Sequence, residues 1–136
     1  MGSVREQESL LNKKSCTFCS IPTDQVVADN SLAYAIHDKF PVTDGHVLVI
    51  PKRHAEDYFS LEQDELLACD ALLRQLREDI ERADSSVEGF NIGVNAGAVA
   101  GQTVFHCHIH LIPRRGGDVD DPRGGVRHLI PGQGSY

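Results

Sequence analysis

The sequence predicts an α+β protein in which a mainly antiparallel sheet of about five strands packs against one long and one short helix. Short apolar or alternating runs separated by turn residues indicate the strands. A longer run with apolar residues at helical spacing, between residues 60 and 83, indicates the long helix. The chain has 136 residues, a length that fits one domain.

Four of the predicted strands precede residue 100, and residues that favour turns separate them. The third strand is apolar at nearly every position, so both of its faces should be covered, and Pro51 should end it. His46 opens this strand and is expected to be a structural hydrogen-bonding residue outside any site. The four strands comprise residues 26–28, 32–37, 46–50 and 89–95.

The long helix is predicted to begin at a capping box in which Ser60 is the N-cap and Gln63 reaches back. It should end near Ala83. One apolar stripe should pack on the sheet while the charged face meets water. The stripe contains Cys69, Leu73, Leu76 and Ile80.

Histidines alternate with apolar residues in the fifth predicted strand, residues 106–112. A strand sends successive side chains to opposite faces, so the three imidazoles should share one face and the residues between them should enter the core. Pro113 fits only at the end of such a strand or at a sheet edge. The histidines are His106, His108 and His110, and the core residues are Cys107, Ile109 and Leu111.

Two interpretations of the three histidines remain open at this point. A His-x-His pair can hold a metal ion, and an imidazole can act as a nucleophile between two others that orient it and handle protons. The residue spacing does not separate these alternatives. A plain solvated face is less favoured, because histidine titrates near neutrality and is seldom used as filler.

The preceding loop, residues 96–101, consists of small residues that would let backbone amides approach a ligand. Successive N–H groups in such a loop can form an anion-binding nest. The net charge of −7 argues against binding to nucleic acid or anionic membranes. Residues 106–136 carry +1 and the remainder −8, so an anionic ligand would meet the least repulsion near the histidines.

A cytoplasmic location is expected for two reasons. No apolar run reaches the length of a membrane span, and the first residues lack the apolar region of a signal peptide. Residues 1–15 are polar and are expected to form a flexible N-terminal arm.

Cys16 and Cys19 form a C-x-x-C pair, which reads as half of a zinc site or as a redox pair. A redox pair would be followed directly by a helix, whereas the next residues favour a turn, so zinc is the preferred interpretation. His54 and His106 are the best candidates for the other two ligands. A Cys₂His₂ site is usually structural. The alternative is a pair of unliganded cysteines.

The stretch His106–Ile112 resembles the signature of the histidine triad (HIT) superfamily. The flanking residues 101–104 and 113–114 are similar to the branch that hydrolyses dinucleoside polyphosphates, and Pro41–His54 provides a second match upstream. The resemblance covers about residues 16–115 and implies a HIT-like fold for them. The tail, residues 116–136, is expected to pack on this domain or on a dimer partner.

The resemblance implies that His108 attacks the α-phosphate of a nucleotide and forms a covalent nucleotidyl-histidine that water then hydrolyses. His110 would bind a phosphate oxygen or assist the leaving group, and His106 would support the site. Asp38 would bind the ribose, although a turn residue that caps its own backbone is an equal alternative. The residues implied to bind phosphate and the leaving group are Asn95, Gln102 and Thr103.

The resemblance also implies a homodimer, a structural Zn²⁺ held by the Cys₂His₂ set, and Mg²⁺ that accompanies the substrate. A dinucleoside polyphosphate such as diadenosine tetraphosphate is the first choice of substrate. A nucleoside phosphoramidate, or phosphorolysis in place of hydrolysis, is the second. Two further alternatives are a nucleotide sensor or scaffold without useful turnover and a hydrolase in which the histidines hold a catalytic metal.

Overall fold

The computed structural model describes residues 15–136, so the predicted N-terminal arm lies outside the described residues except for its last position. Five antiparallel strands form one sheet in the order β1-β2-β3-β5-β4. One complete α-helix and five short 3₁₀ segments lie within this range, and the predicted α+β class is confirmed. The elements are β1 (Val26–Asp29), β2 (Ala33–His37), β3 (Val47–Pro51), α1 (Gln63–Ala83), β4 (Val87–Val94) and β5 (Ile109–Arg115).

β3 is the central strand, and all five of its residues are buried, as the sequence predicted. Its neighbours are β2 on one side and β5 on the other. Val47 and Val49 pack towards α1, together with Cys69 and Leu72 of that helix. Leu48 and Ile50 pack on the opposite face of the sheet. The sheet therefore has a face covered by α1 and a second apolar face that carries the site described below.

The histidine strand begins later than predicted, because β5 starts at Ile109. The ladder between β3 and β5 ends at the pair Val49–Ile109. Two positions further in the same register, Cys107 would lie opposite Pro51, which has no N–H to donate. The Cys107 N–H instead donates to the Ala55 carbonyl oxygen at 2.7 Å. Of the three histidines only His110 lies in the sheet, whereas Cys107, Ile109 and Leu111 do enter the core under α1.

Pro113 lies inside β5 rather than at its end, so of the two predicted positions the sheet edge is the one that applies. It pairs with Phe90 of β4, but on its other side the ladder to β3 has already stopped at Val47–Leu111. The Thr43 hydroxyl donates to the Pro113 carbonyl oxygen on that side at 2.8 Å. The missing N–H of proline therefore costs no ladder hydrogen bond, because β5 is locally an edge.

α1 begins at Gln63, and its N-cap is Glu62 rather than Ser60 as predicted. Glu62 and Glu65 form the capping box, in which each side chain accepts the backbone N–H of the other residue. Ser60 belongs to a preceding 3₁₀ segment, where its N–H donates to Asp57. Among residues 15–136, no helix has both the length and the apolar character needed to span a membrane.

Glu65 ties the start of α1 to the chain that follows β3. Its carboxylate is buried and accepts two hydrogen bonds from the Arg53 guanidinium, at 2.7 and 3.0 Å, and one from the Glu62 N–H at 2.8 Å. These hydrogen bonds, with that from Arg53 the largest cause, hold the pKa of Glu65 below its usual value. Removing the carboxylate would leave three N–H donors without this acceptor.

We expect Glu65→Ala to lower the free energy of unfolding by about 2–3 kcal/mol, because charge-assisted hydrogen bonds at a buried acceptor are lost. Urea denaturation measures this change. The matched control is Glu81→Ala, which breaks an exposed i,i+4 pair with Arg77. It should change stability by at most about 0.5 kcal/mol. Equal effects for the two variants would contradict the role given to Glu65.

Candidate active site

The candidate site lies on the face of the sheet opposite α1. His110 of β5 stands beside Leu48 of β3 and Gly93 of β4 in the register of the sheet. His108 precedes the strand, and its ring centroid lies 5.4 Å from that of His110. His106, two residues before His108 in the chain, is fully buried. Because the chain joins the sheet only at Ile109, the three imidazoles lie in three different environments.

His108 is held in one orientation and one tautomer by the backbone. Its Nδ1 lies 2.8 Å from the carbonyl oxygen of His106, which can only accept, so Nδ1 carries the proton and donates. The lone pair of the neutral ring is then on Nε2. Nε2 makes no hydrogen bond to any of residues 15–136. This is the arrangement that a nucleophilic imidazole requires.

His110 is held by a second histidine, His46, which the sequence analysis left outside the site. The Val42 N–H donates to His46 Nδ1 at 3.1 Å, so the proton of neutral His46 is on Nε2. His46 Nε2–H then donates to His110 Nδ1 at 2.9 Å. Neutral His110 therefore carries its proton on Nε2, as a donor for a ligand. His46 is a positioning residue, and its position directly after Gly45 gave no sequence signal for this contact.

Asp38 lies at the edge of the same pair of histidines. Its Oδ1 accepts the Phe40 N–H at 2.9 Å, which is the turn-capping role considered from the sequence. Its Oδ2 lies 3.4 Å from His46 Nε2 and 3.8 Å from His110 Nδ1. Binding of a ribose by Asp38 stays a prediction.

Burial keeps His46 and His110 neutral near physiological pH. Desolvation is the largest cause that lowers the pKa of each below 6.5, and for His110 the nearby rings of His108 and His46 lower it further. The Asp38 carboxylate opposes both shifts but does not reverse them. His110 is therefore a hydrogen-bond donor rather than a strong acid at neutral pH.

His106 joins the site to a cluster of metal-ligating side chains. Its Nε2–H donates to the Pro51 carbonyl oxygen at 2.8 Å, so Nδ1 carries the lone pair. Nδ1 lies 3.4 Å from the sulfur atoms of both Cys16 and Cys19. The Cys19 sulfur lies 3.2 Å from His54 Nδ1. Desolvation is the main cause that lowers the pKa of His106 to about 4, which keeps the ring neutral.

These four residues fit a tetrahedral metal ion. Their ligand atoms all lie within 4.8 Å of one another. Zn–S and Zn–N bonds of about 2.3 and 2.0 Å separate sulfur from nitrogen by about 3.5 Å in a tetrahedron, close to the separations observed. The hydrogen bond from His106 to Pro51 is the kind of outer contact that orients a metal-bound imidazole. The four ligand candidates named from the sequence are thus brought together.

Phe18, between the two cysteines, forms one wall of the site and was missed by the sequence analysis. Its ring packs edge-on against His108, with centroids 5.0 Å apart. It also packs on the apolar cluster of Ile36, Leu48 and their neighbours on the site face of the sheet. The Tyr34 hydroxyl donates to the Phe18 carbonyl oxygen and fixes this loop. An apolar residue inside the C-x-x-C pair was the available signal.

The side chain of Gln102 is occupied by hydrogen bonds to backbone groups around it. The side chain is buried. Its Oε1 accepts the Gly97 N–H at 2.8 Å, and its Nε2 donates to the carbonyl oxygens of Glu56 and Val104 at 2.7 and 3.1 Å. In this structure Gln102 organises the loop. A contact with phosphate stays a prediction.

The loop of small residues does not present a row of open amides. Residues 98–100 form a 3₁₀ turn, and the N–H groups of Gly97, Ala100, Gly101 and Gln102 are bonded within the loop. Half of the six N–H groups of residues 96–101 are therefore already bonded, and an anion nest formed by the others stays a prediction. Asn95 lines the same groove as His110, and Thr103 is exposed beside Gln102. Their contacts with a ligand stay predictions.

A groove of about 1130 Å³ extends from His46 and His110 over β4 and β5 towards the tail. The tail contributes Val126 and Leu129 to its lining. Three of the four arginines among residues 106–136 are already paired with carboxylates: Arg114 with Asp118, Arg115 with Asp84, and Arg123 with Asp121. The excess positive charge inferred from composition is therefore largely neutralised in place.

The fold and the site define an α+β protein with an orientated histidine triad beside a Cys₂His₂ cluster. The model of the HIT domain family matches residues 21–117. The chain belongs to the HIT domain family, as the resemblance predicted.

The relatives agree with this assignment. An uncharacterised HIT-like protein of Mycoplasma genitalium is 43% identical over 74% of this chain and 73% of its own. The Zn-bound histidine triad family protein of Mycobacterium smegmatis has a TM-score of 0.70 and 33% identity, over 78% of this chain and 79% of its own. The AP-4-A phosphorylase of Mycobacterium tuberculosis is 36% identical over 70% of this chain but only 49% of its own.

The contact between His46 and His110 predicts a measurable tautomer. Nitrogen-15 NMR should find neutral wild-type His110 protonated on Nε2, with a titration midpoint below 6.5. In His46→Ala the tautomers should mix and the midpoint should rise, because the neighbouring ring that lowers the pKa of His110 is gone.

The control is His37→Ala, at an exposed strand end, which should leave both readouts unchanged. Neutral wild-type His110 protonated on Nδ1 would contradict the assignment.

Proposed function

We propose that the protein is a nucleotidyl hydrolase that cleaves dinucleoside polyphosphates, such as diadenosine tetraphosphate, at the α-phosphate. The observation that carries this proposal is the hydrogen bond from His108 Nδ1–H to the His106 carbonyl oxygen. It places the lone pair of the ring on Nε2, which makes no hydrogen bond to residues 15–136 and can meet a ligand. The resulting intermediate would be a nucleotidyl group bound covalently to His108.

In the first step His108 Nε2 attacks the α-phosphorus in line with the leaving oxygen. An N–P bond forms, the P–O bond to the β-phosphate breaks, and the nucleoside polyphosphate leaves as an anion. The His108 ring becomes cationic, and the His106 carbonyl oxygen that accepts its Nδ1–H stabilises this charge. His110 Nε2–H donates to a phosphate oxygen on which negative charge develops.

In the second step water attacks the same phosphorus, the N–P bond breaks and His108 returns to its neutral form. The surplus proton of the water leaves with the nucleoside monophosphate and passes to solvent. Two simple displacements thus replace one difficult one. Neither step requires His110 to release its proton, which agrees with a ring that burial keeps neutral.

This proton balance favours anhydrides over phosphoramidates as substrates. A polyphosphate leaves as a stable anion, whereas an amine leaving group must be protonated. A neutral His110 whose Nδ1 already accepts from His46 is a poor acid for that purpose. We therefore place nucleoside phosphoramidates second.

Phosphorolysis is supported by one specific observation, the 36% identity to an AP-4-A phosphorylase. In that reaction inorganic phosphate would replace water in the second step and yield a nucleoside diphosphate. The first step would be unchanged, so the roles given to His108 and His110 would be the same. A nucleotide sensor or scaffold would bind the same ligand without forming the intermediate.

We further propose that Cys16, Cys19, His54 and His106 hold a structural Zn²⁺. When bound, the ion would fix the N-terminal knuckle to His106, with no position left open for water. Support comes from the geometry of the four ligands and from the Zn-bound relative. Mg²⁺ would accompany the polyphosphate as part of the substrate. A cytoplasmic homodimer remains the working expectation, which gel filtration with light scattering can check.

The covalent route predicts an acid-labile adduct of one AMP on the protein after brief mixing with diadenosine tetraphosphate. Intact-protein mass spectrometry measures it. His108→Ala should give no adduct and lose activity by at least about 10³-fold while keeping its fold. His37→Ala serves as the control and should form the adduct normally.

Three outcomes separate the alternatives. Product without an adduct, abolished by chelators, would replace this mechanism with metal-dependent hydrolysis. An adduct that yields ADP only when phosphate is added would identify a phosphorylase. Binding without product would identify a sensor or scaffold.

We expect removal of the zinc to lower the thermal stability of the protein. The purified protein should contain about one zinc per chain, and Cys16→Ala should lose it. The melting temperature of the variant should fall by about 10 °C or more, because metal binding contributes folding free energy. Ser20→Ala, at an exposed neighbouring position, should retain zinc and stability. Full stability without zinc would contradict the proposal.

A further inference from the structure

Gly93 lies next to His110, directly opposite it in the pairing of β4 with β5. Paired residues project to the same face of a sheet, so a side chain at position 93 would stand on the site face beside the imidazole. Position 93 also lines the groove that begins at His46 and His110. No side chain from position 93 therefore covers the groove beside His110.

Neither the backbone nor the packing requires glycine there. Gly93 is absent from the residues with positive φ. A Cβ built on it would meet no other atom within 4 Å. Glycine inside a strand is destabilising by roughly 0.5–1 kcal/mol relative to alanine, and it often marks close approach by a ligand. The space above Gly93 is therefore open in the folded chain, at a cost that packing does not explain.

The geometry of an in-line displacement indicates which part of a substrate would use this space. Attacking and leaving atoms lie on opposite sides of the phosphorus. Phe18 packs on one side of His108, where an apolar cluster can take the nucleoside that is attacked. The ring of His110 lies 5.4 Å from that of His108 and lines the groove. With the nucleoside against Phe18, the leaving group would extend along this groove and across Gly93.

We propose that Gly93 is a specificity-determining residue, which keeps the floor beside His110 clear for the polyphosphate and second nucleoside of the leaving group. This inference rests on the proposed nucleotidyl hydrolase function. The lining supports this occupant, because Asn95 lines the groove together with Gly93, while Val126 and Leu129 of the tail provide apolar surface. Such a groove suits a ligand with a polar phosphate chain and an apolar base.

The experiment compares two substrates that share the attacked nucleotide and differ in the leaving group. Diadenosine tetraphosphate releases ATP, and adenosine 5′-phosphorofluoridate releases only fluoride. In Gly93→Val, kcat/KM for diadenosine tetraphosphate should fall by about 30-fold or more, while that for the fluoridate should change by less than about threefold. Gly93→Ala should give a smaller effect in the same direction, and either variant that folds decides the question.

Gly89→Val is the matched control. Gly89 pairs with Arg114 on the same face of β4, and a Cβ there also meets nothing within 4 Å, but it does not line the groove. This variant should leave both substrates unchanged. Gel filtration and thermal melting of all variants confirm that they retain the wild-type assembly and fold.

Several outcomes would overturn the assignment. If Gly93→Val slows both substrates equally, or neither, the position does not select the leaving group. An altered elution volume together with equal losses would make this face an interface between copies of the chain. Wild-type protein that turns over neither substrate would overturn the proposed function, and this inference with it. If the wild type turns over both substrates, the effects of the Gly93 variants test this inference alone.

Discussion

The hydrogen bond from His108 to the backbone of His106 is the interaction on which the site depends. Without it, the ring could rotate and could carry its proton on either nitrogen. The carbonyl oxygen that accepts the bond belongs to a residue that is itself fixed, because the buried His106 ring donates to the Pro51 carbonyl oxygen. The end of the central strand therefore sets the orientation of the imidazole two residues further along.

The early end of the β3–β5 ladder makes this hydrogen bond possible. In a continued antiparallel ladder, the carbonyl groups of residues 106–108 would be directed at neighbouring strands. Because the β3–β5 ladder ends at Val49–Ile109, the His106 carbonyl oxygen is available to a side chain. Pro51, two residues beyond the last β3 residue of that ladder, has no N–H to donate and supplies the acceptor for His106. The Pro51 carbonyl oxygen thus fixes His106, whose own carbonyl oxygen orients His108.

The sequence predicted what depends on periodicity. The apolar patterns of the strands and the helical stripe gave the α+β class, and the alternation in β5 gave the core residues Cys107, Ile109 and Leu111, because burial repeats with the period of the element. It did not predict the helix cap, because Ser60 with Gln63 matches the usual capping box, whereas the observed box is formed by Glu62 and Glu65. Only the long-range contact of Glu65 with Arg53 distinguishes them.

The site was predictable only in part, because local patterns do not reveal long-range contacts. Residue types and spacing identified the triad and the four metal-ligand candidates, which the fold does bring together. They gave no signal for His46, which contacts His110 across 64 positions of sequence. Nor could they indicate that the amide of Gln102 would be occupied by the loop, because such hydrogen bonds depend on the position of backbone atoms.

The three histidines show why spacing alone could not assign their chemistry. Neutral His106 and His110 both carry the proton on Nε2, but one donates it to a carbonyl oxygen in the core while the other directs it to the groove. His108 carries the proton on Nδ1. The side chains are chemically identical and lie at equal intervals, so their partners alone make them different. Pro51, the His106 backbone and His46 therefore assign the roles, and any sequence that kept the triad but lost these partners would keep the motif without its chemistry.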